Sequence, residues 1–217
     1  FYGPRSPAVL FEAFHRLITE FPRESRNVRL ALVGPPAFQG QLLADLAENA
    51  GLSDRVIVCG ETSHTIALEL SAGADALMLV GASGPGSELQ IPQKLFEYLA
   101  LRRPILGLLS PDNPAIAIMK DSQADVIACE PDDAAGVAQA MRQLIDPQRT
   151  IPSQAWSGVH LFDRKVRVQE LHEVFQALAG QDSAASDRRV ADTYATANFS
   201  CEPDVREKKN TTTASSS

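Results

Sequence analysis

The stretch ALMLVGASGPGSELQIPQKLFEYLALRRPILGLL, residues 76–109, decides the fold. It opens on an apolar run from Ala76 to Val80 and passes through a glycine-rich loop from Gly81 to Ile91. A helical pattern then lasts from Pro92 to Leu101, and a second apolar run follows from Ile105 to Leu109. Short runs that are apolar throughout, rather than alternating, belong to strands covered on both faces. Strand, helix and strand at this spacing form a right-handed crossover between parallel neighbours.

The same alternation extends in both directions. Upstream, Leu10, Phe14, Leu17, Ile18 and Phe21 recur at helical steps, with Ser6 placed to cap, Pro7 in the first turn and Pro22 as the stop. A strand from Val28 to Val33 then feeds Gly34-Pro35-Pro36. A helix over Gln39 to Ala50 turns Leu42, Leu43 and Leu46 inward and ends at Gly51, and a strand over Arg55 to Cys59 leads to a helix over Ser63 to Ala72. Downstream come a helix over Asn113 to Ser122, a strand over Val126 to Cys129 and a helix over Asp133 to Ile145. A last helix runs from Asp163 to Ala179 and carries Leu171, Val174, Phe175 and Leu178. The expected fold is α/β with a doubly wound parallel sheet over residues 1–180. From 181 to 217 the chain turns to Ser, Ala, Thr, Asp and Lys and loses hydrophobic periodicity, so a disordered tail is expected. The opening Phe1-Tyr2-Gly3-Pro4 reads as a loop that a further segment precedes.

With 44% hydrophobic and 22% charged residues, 217 residues suffice for a full core. A net charge of −7 argues against nucleic acid as a partner, since that contact needs clustered Lys and Arg. Cys59, Cys129 and Cys201 are odd in number and lack CxxC spacing, which favours a reduced, cytoplasmic setting over a disulfide or zinc framework. His15, His64, His160 and His172 lack carboxylates at ligand spacing and read as surface or packing residues, so no metal site is expected. Trp156 reads as a packing residue.

Ligands of doubly wound sheets bind at the carboxyl ends of the strands, which directs attention to the loops after Val33, Cys59, Val80 and Leu109. The loop from Gly81 to Ile91 has glycines that let backbone N–H groups approach a ligand, followed by a helix whose amino end favours an anion. Its spacing fits neither the GxGxxG dinucleotide fingerprint nor a P-loop. Those features suit a diphosphate, and a plain surface loop is the competing reading.

Residues 91–106, Ile-Pro-Gln-Lys-Leu-Phe-Glu-Tyr-Leu-Ala-Leu-Arg-Arg-Pro-Ile-Leu, resemble the "P-x-K-x-x-E-Y-x-A-x-x-x-P-I/V" segment of group-1 glycosyltransferases of the two-domain GT-B architecture. Further segments agree in order: Tyr2 to Pro7 with the helix behind it, the strand Leu30 to Gly34, Gly51-Leu52-Ser53-Asp54-Arg55-Val56, and Ala74-Asp75-Ala76. The resemblance covers Phe1 to Leu178. It implies the Rossmann-like, C-terminal, donor-binding half of such an enzyme, with the acceptor-binding N-terminal half absent.

By that resemblance Glu97 is the carboxylate that accepts hydrogen bonds from the nucleotide ribose, a task suited to an acceptor-only group with two oxygens. Lys94 and Arg5 face the donor diphosphate, and Gly60 and Glu61 contact the base or diphosphate. Ser87 and Glu88, in the loop that leads to this helix, are assigned to the same donor site. Lys94 also reads as an ordinary surface lysine, Arg5 as an exposed arginine, and Gly60 as a residue that merely permits its turn. Leu89 stands where relatives often carry a first glutamate, eight residues before the second, that holds the sugar; Glu88 and Gln90 flank it.

The expected function is hexosyl transfer from a UDP-, GDP- or other nucleotide-diphosphate sugar, without a metal. The acceptor, a glycan, lipid or small molecule, would be held by the absent half, as would any peripheral membrane contact. This chain alone would bind nucleotide weakly and transfer nothing. The rivals are a nucleotide-sugar epimerase of the same architecture and a non-catalytic α/β interaction module.

Overall fold

A computed structural model of the chain describes residues 6–81, 86 and 90–194. The chain divides into two compact units, Phe1–Arg167 and Val168–Ser217.

In the first unit, helices and strands alternate: α1 (Ala8–Glu20), β1 (Leu30–Val33), β2 (Ala37–Phe38), β3 (Gln41–Leu42), α2 (Leu43–Asn49), β4 (Val56–Gly60), α3 (His64–Gly73), β5 (Leu77–Val80), α4 (Lys94–Leu101), β6 (Ile105–Leu108), α5 (Pro114–Asp121), β7 (Val126–Cys129), α6 (Ala134–Leu144) and the start of α7 (Arg164–Tyr194). β1 pairs with β4 in parallel, and β5, β6 and β7 form a parallel ladder in that order. The parallel, Rossmann-like α/β architecture is therefore present.

Covering on both faces follows from the period of two along each strand. On β5 and β6, Leu77, Leu79 and Ile105 enter one core with Leu95 and Leu99 of α4, Ala115 and Met119 of α5, and Trp156. The intervening Met78, Val80, Leu106 and Leu108 pack into a second core with Leu10, Phe14 and Leu17 of α1, Ala47 of α2, and Val137 and Met141 of α6. Each large side chain so buried contributes about 1.5–3 kcal/mol of transfer free energy. Strands apolar on every residue are what such a sheet requires.

Two recognisable segments owe their pattern to folding. Gly51, at φ +70°, ends α2 by donating its N–H to Glu48 O, while the Leu52 N–H returns to Ala47 O. Arg55 then donates to the carbonyls of Ser25 (3.0 Å) and Arg26 (2.7 Å) and to Asp54 (3.1 Å), pinning the connection before β1 to the entry of β4. Trp156 is buried, as a packing residue should be, and its N–H donates to Gln123 O at 2.8 Å.

Two helices differ from the expected bounds. Residues 39–42, read as the start of a helix, belong instead to the β2–β3 hairpin of residues 37–42, because Gln39 (φ +49°) and Gly40 (φ +82°) supply the two left-handed residues of a tight turn. Only residues 43–49 are helical there. At the other end, α7, which belongs to the second unit from Val168 onward, does not stop at Ala179 but continues as far as Tyr194. Among the described residues no helix is long and apolar enough to cross a membrane.

Candidate functional site

The carboxyl ends of parallel strands lead into the amino ends of the following helices, so the carboxyl edge of each parallel ladder, β1–β4 and β5–β6–β7, collects these junctions. β1 and β4 end together, with the Gly34 N–H donating to Gly60 O at 2.9 Å. Gly60 sits at φ +75°, and nothing lies within 4 Å of where a Cβ would be. Glycine is needed there for backbone conformation and not for close approach. Glu61 follows, exposed. Ser63 then caps α3, its Oγ accepting from the Ile66 N–H at 3.3 Å, which makes His64 the first helical residue.

At the next junction Gly81 leaves β5 so close to β6 that a Cβ would meet Leu109 Cδ2 at 2.6 Å and Leu108 O at 3.2 Å. Where the chain re-emerges, Gln90 O accepts from Asn113 Nδ2 at 3.0 Å, while Asn113 Oδ1 caps α5 by accepting from the Ala115 N–H at 2.9 Å. Asn113 is only 3% exposed, so one buried amide fixes both the entry to α4 and the start of α5. A buried amide with both ends engaged is a rigid anchor.

α4 buries Leu95, Tyr98 and Leu99 against the sheet. Lys94 and Glu97, three residues apart, consequently share the helix's other side: Lys94 is exposed and Glu97 half-buried. Glu97 Oε1 lies 3.1 Å from His64 Nε2, a hydrogen bond linking the first turns of α3 and α4. The Tyr98 hydroxyl is held above the ordinary tyrosine range by burial and, secondarily, by the Glu97 carboxylate beside it. Tyr98 therefore remains neutral.

The structure thus places Gly60 and Glu61 at the β4–α3 junction and Lys94 and Glu97 on the first turn of α4, and the His64–Glu97 contact links the two places. Arg5, Ser87 and Glu88 lie outside the described residues. His64, expected to be a surface or packing residue, is exposed but makes a specific contact with Glu97. Its signal in the sequence was position alone: Ser63 marks a helix start after a strand, while the partner arrives from 33 residues away by packing of α3 on α4.

Elsewhere, a surface hollow of about 670 Å³ opens between α1 and the β2–β3 hairpin, lined by Phe11, Glu12, His15, Phe38, Gln39 and Asn49 among others. It does not include Glu97. Burial, reinforced by Asp133 and then Glu130, pushes the Cys129 thiol up to about 11, which makes it inert as a nucleophile at neutral pH. Among the described residues no group of three or more His, Cys, Asp or Glu side chains is placed to hold a metal ion.

No curated protein matches the chain. A family model for group 1 glycosyl transferases matches residues 4–147, from the start of the first unit through α6, and so takes in both strand ladders and both places. The match spans well over half of the 217 residues, and the chain belongs to the group 1 glycosyl transferases.

Proposed function

We propose that the chain holds the donor of a hexosyl transfer, a nucleotide-diphosphate sugar, at the rim where β4 and β5 hand over to α3 and α4. Glu97 accepts the ribose hydroxyls, Lys94 and the amino end of α4 face the diphosphate, and Gly60 and Glu61 border the nucleotide. Arg5, Ser87 and Glu88 complete the donor site in this reading. In the transfer, the bond from the anomeric carbon to the diphosphate oxygen breaks, the acceptor hydroxyl oxygen takes that carbon, and the hydroxyl proton leaves to a base on the acceptor side. Negative charge then gathers on the departing diphosphate, and a cation with a helix amino end is suited to meet it without a metal. The acceptor is held by a separate domain of the two-domain architecture. The cytoplasm suits the free thiols Cys59 and Cys129.

The observation that carries the reading is Glu97: a half-buried carboxylate on the first turn of α4, in a chain of this family. Buried helix positions 95, 98 and 99 account for packing, and none of that packing needs an acid at 97. Lys94, at the first turn of a helix, is disfavoured by the helix dipole unless an anion is present, and a bound diphosphate supplies one.

The test is calorimetric titration of UDP and GDP into the wild-type chain and Glu97→Ala. Loss of two hydrogen bonds to a charged acceptor should weaken the nucleotide that binds by roughly 30-fold or more. Equal affinity for both proteins, or no binding of either nucleotide to the wild type, refutes the proposal.

A further inference from the structure

We propose that His64 is a positioning residue for Glu97, holding its carboxylate in the orientation that takes the donor ribose. This rests on the donor reading above and adds to it a residue that neither composition nor motif singles out.

Each partner is fixed by its own helix. His64 is the first residue of α3, and its backbone is set by the Ser63 cap and by the end of β4. The far end of α3 is tied to the segment that follows α4, through Arg103 Nη2 donating to Ala72 O at 2.7 Å. Glu97 is set by α4, whose opposite side is anchored in the core through Leu95, Tyr98 and Leu99. Two independently anchored helix ends therefore deliver an imidazole and a carboxylate to 3.1 Å. A carboxylate accepts and does not donate, so the His64 Nε2–H is the donor and Glu97 Oε1 the acceptor.

A glutamate has three side-chain torsions, and one that is one-third exposed samples several rotamers unless something selects among them. Engaging Oε1 removes that freedom and leaves Oε2, together with the remaining lone pair of Oε1, for ligand hydroxyls. The His64 side chain is itself 71% exposed, so the contact contributes little to folding. Its use lies in preorganisation: the cost of ordering Glu97 is met before the nucleotide arrives.

The test compares UDP and GDP with their 2′-deoxy analogues, titrated into the full chain as wild type, His64→Ala, His64→Gln, Glu97→Ala and the His64→Ala/Glu97→Ala double variant. His64→Ala should weaken the tighter-binding nucleotide about 5-fold and narrow the preference for ribose over 2′-deoxyribose. In the Glu97→Ala background the same substitution should change nothing. His64→Gln, whose amide reaches about as far as the imidazole Nε2, should restore affinity to within about 2-fold of wild type. If Glu97→Ala weakens binding while His64→Ala leaves it and the ribose preference unchanged, or if the two effects simply add, the positioning role is overturned and the donor reading survives. If Glu97→Ala binds as wild type does, or no nucleotide binds at all, the donor reading falls and this inference falls with it.

Discussion

Removing the guanidinium of Arg149 should destabilise the first unit by about 3 kcal/mol, far more than loss of a surface ion pair. Arg149 Nη1 and Nη2 lie 2.9 Å and 2.5 Å from the two oxygens of Asp125, a forked contact at the entry to β7. The Asp125 side chain is 7% exposed and that of Arg149 18%, so water screens neither well. With the charge centres about 4 Å apart and an effective dielectric near 20, the attraction is about 4 kcal/mol. Part of that offsets the desolvation of both groups in the wild type. In Arg149→Ala the Asp125 carboxylate keeps its burial and loses its counter-charge, the arrangement that costs about 3–5 kcal/mol in buried pairs. Partial exposure of the pair puts the expectation at the lower end. In urea, with a slope of about 2 kcal/mol per molar, the midpoint should fall by about 1.5 M. Asp125→Asn in the Arg149→Ala background should recover part of the loss, since no unpaired buried charge then remains. A drop below about 1 kcal/mol in Arg149→Ala, or strict additivity in the double variant, would refute the reasoning and return the pair to the class of exposed ion pairs.

Two further outcomes are expected alongside the nucleotide titrations already set out. Gly60→Ala should lower stability by about 1–2 kcal/mol, because the room for a methyl group exists and only the φ of +75° is penalised; Gly60→Asn should cost less, and a thermal melt in which both match wild type removes the conformational argument. Cys129 should resist alkylation at pH 8 while exposed Cys59 reacts. Its thiol is raised from 9.0 to about 11 in the folded chain, so the stability it contributes is whole below about pH 9 and is lost as pH climbs through 11. Alkaline unfolding unaffected by Cys129→Ala would count against that linkage.

How much of this was legible in advance depends on the range over which each feature is determined. β5, α4 and β6 were readable from residues 76–109 because their burial is a local pattern: two strands apolar on every residue, and a helix with apolar positions at 95, 98 and 99. The β2–β3 hairpin was missed because Leu42, Leu43 and Leu46 mimic a helical period, and only the left-handed dihedrals at Gln39 and Gly40 settle the turn. The length of α7 escaped because the apolar spacing of Leu171, Val174, Phe175 and Leu178 does not continue in the sequence beyond Ala179.

The site divides along the same line. The places of Glu97 and Lys94 on the first turn of α4 were readable because motif and helix position coincide, and that of Gly60 because a strand end needs a turn. His64 depends on α3 meeting α4, a tertiary event that no spacing along the chain encodes. Asn113 behaves likewise: its sequence signature is that of an ordinary cap before Pro114, yet its amide also holds Gln90, 23 residues upstream. Both unread residues restrain α4 or the chain entering it, one through the side chain of Glu97 and the other through the backbone before the helix. The motif of the family thus specifies which groups stand on the first turn of α4, while the precision of their placement is supplied by neighbours that only the folded chain brings within reach.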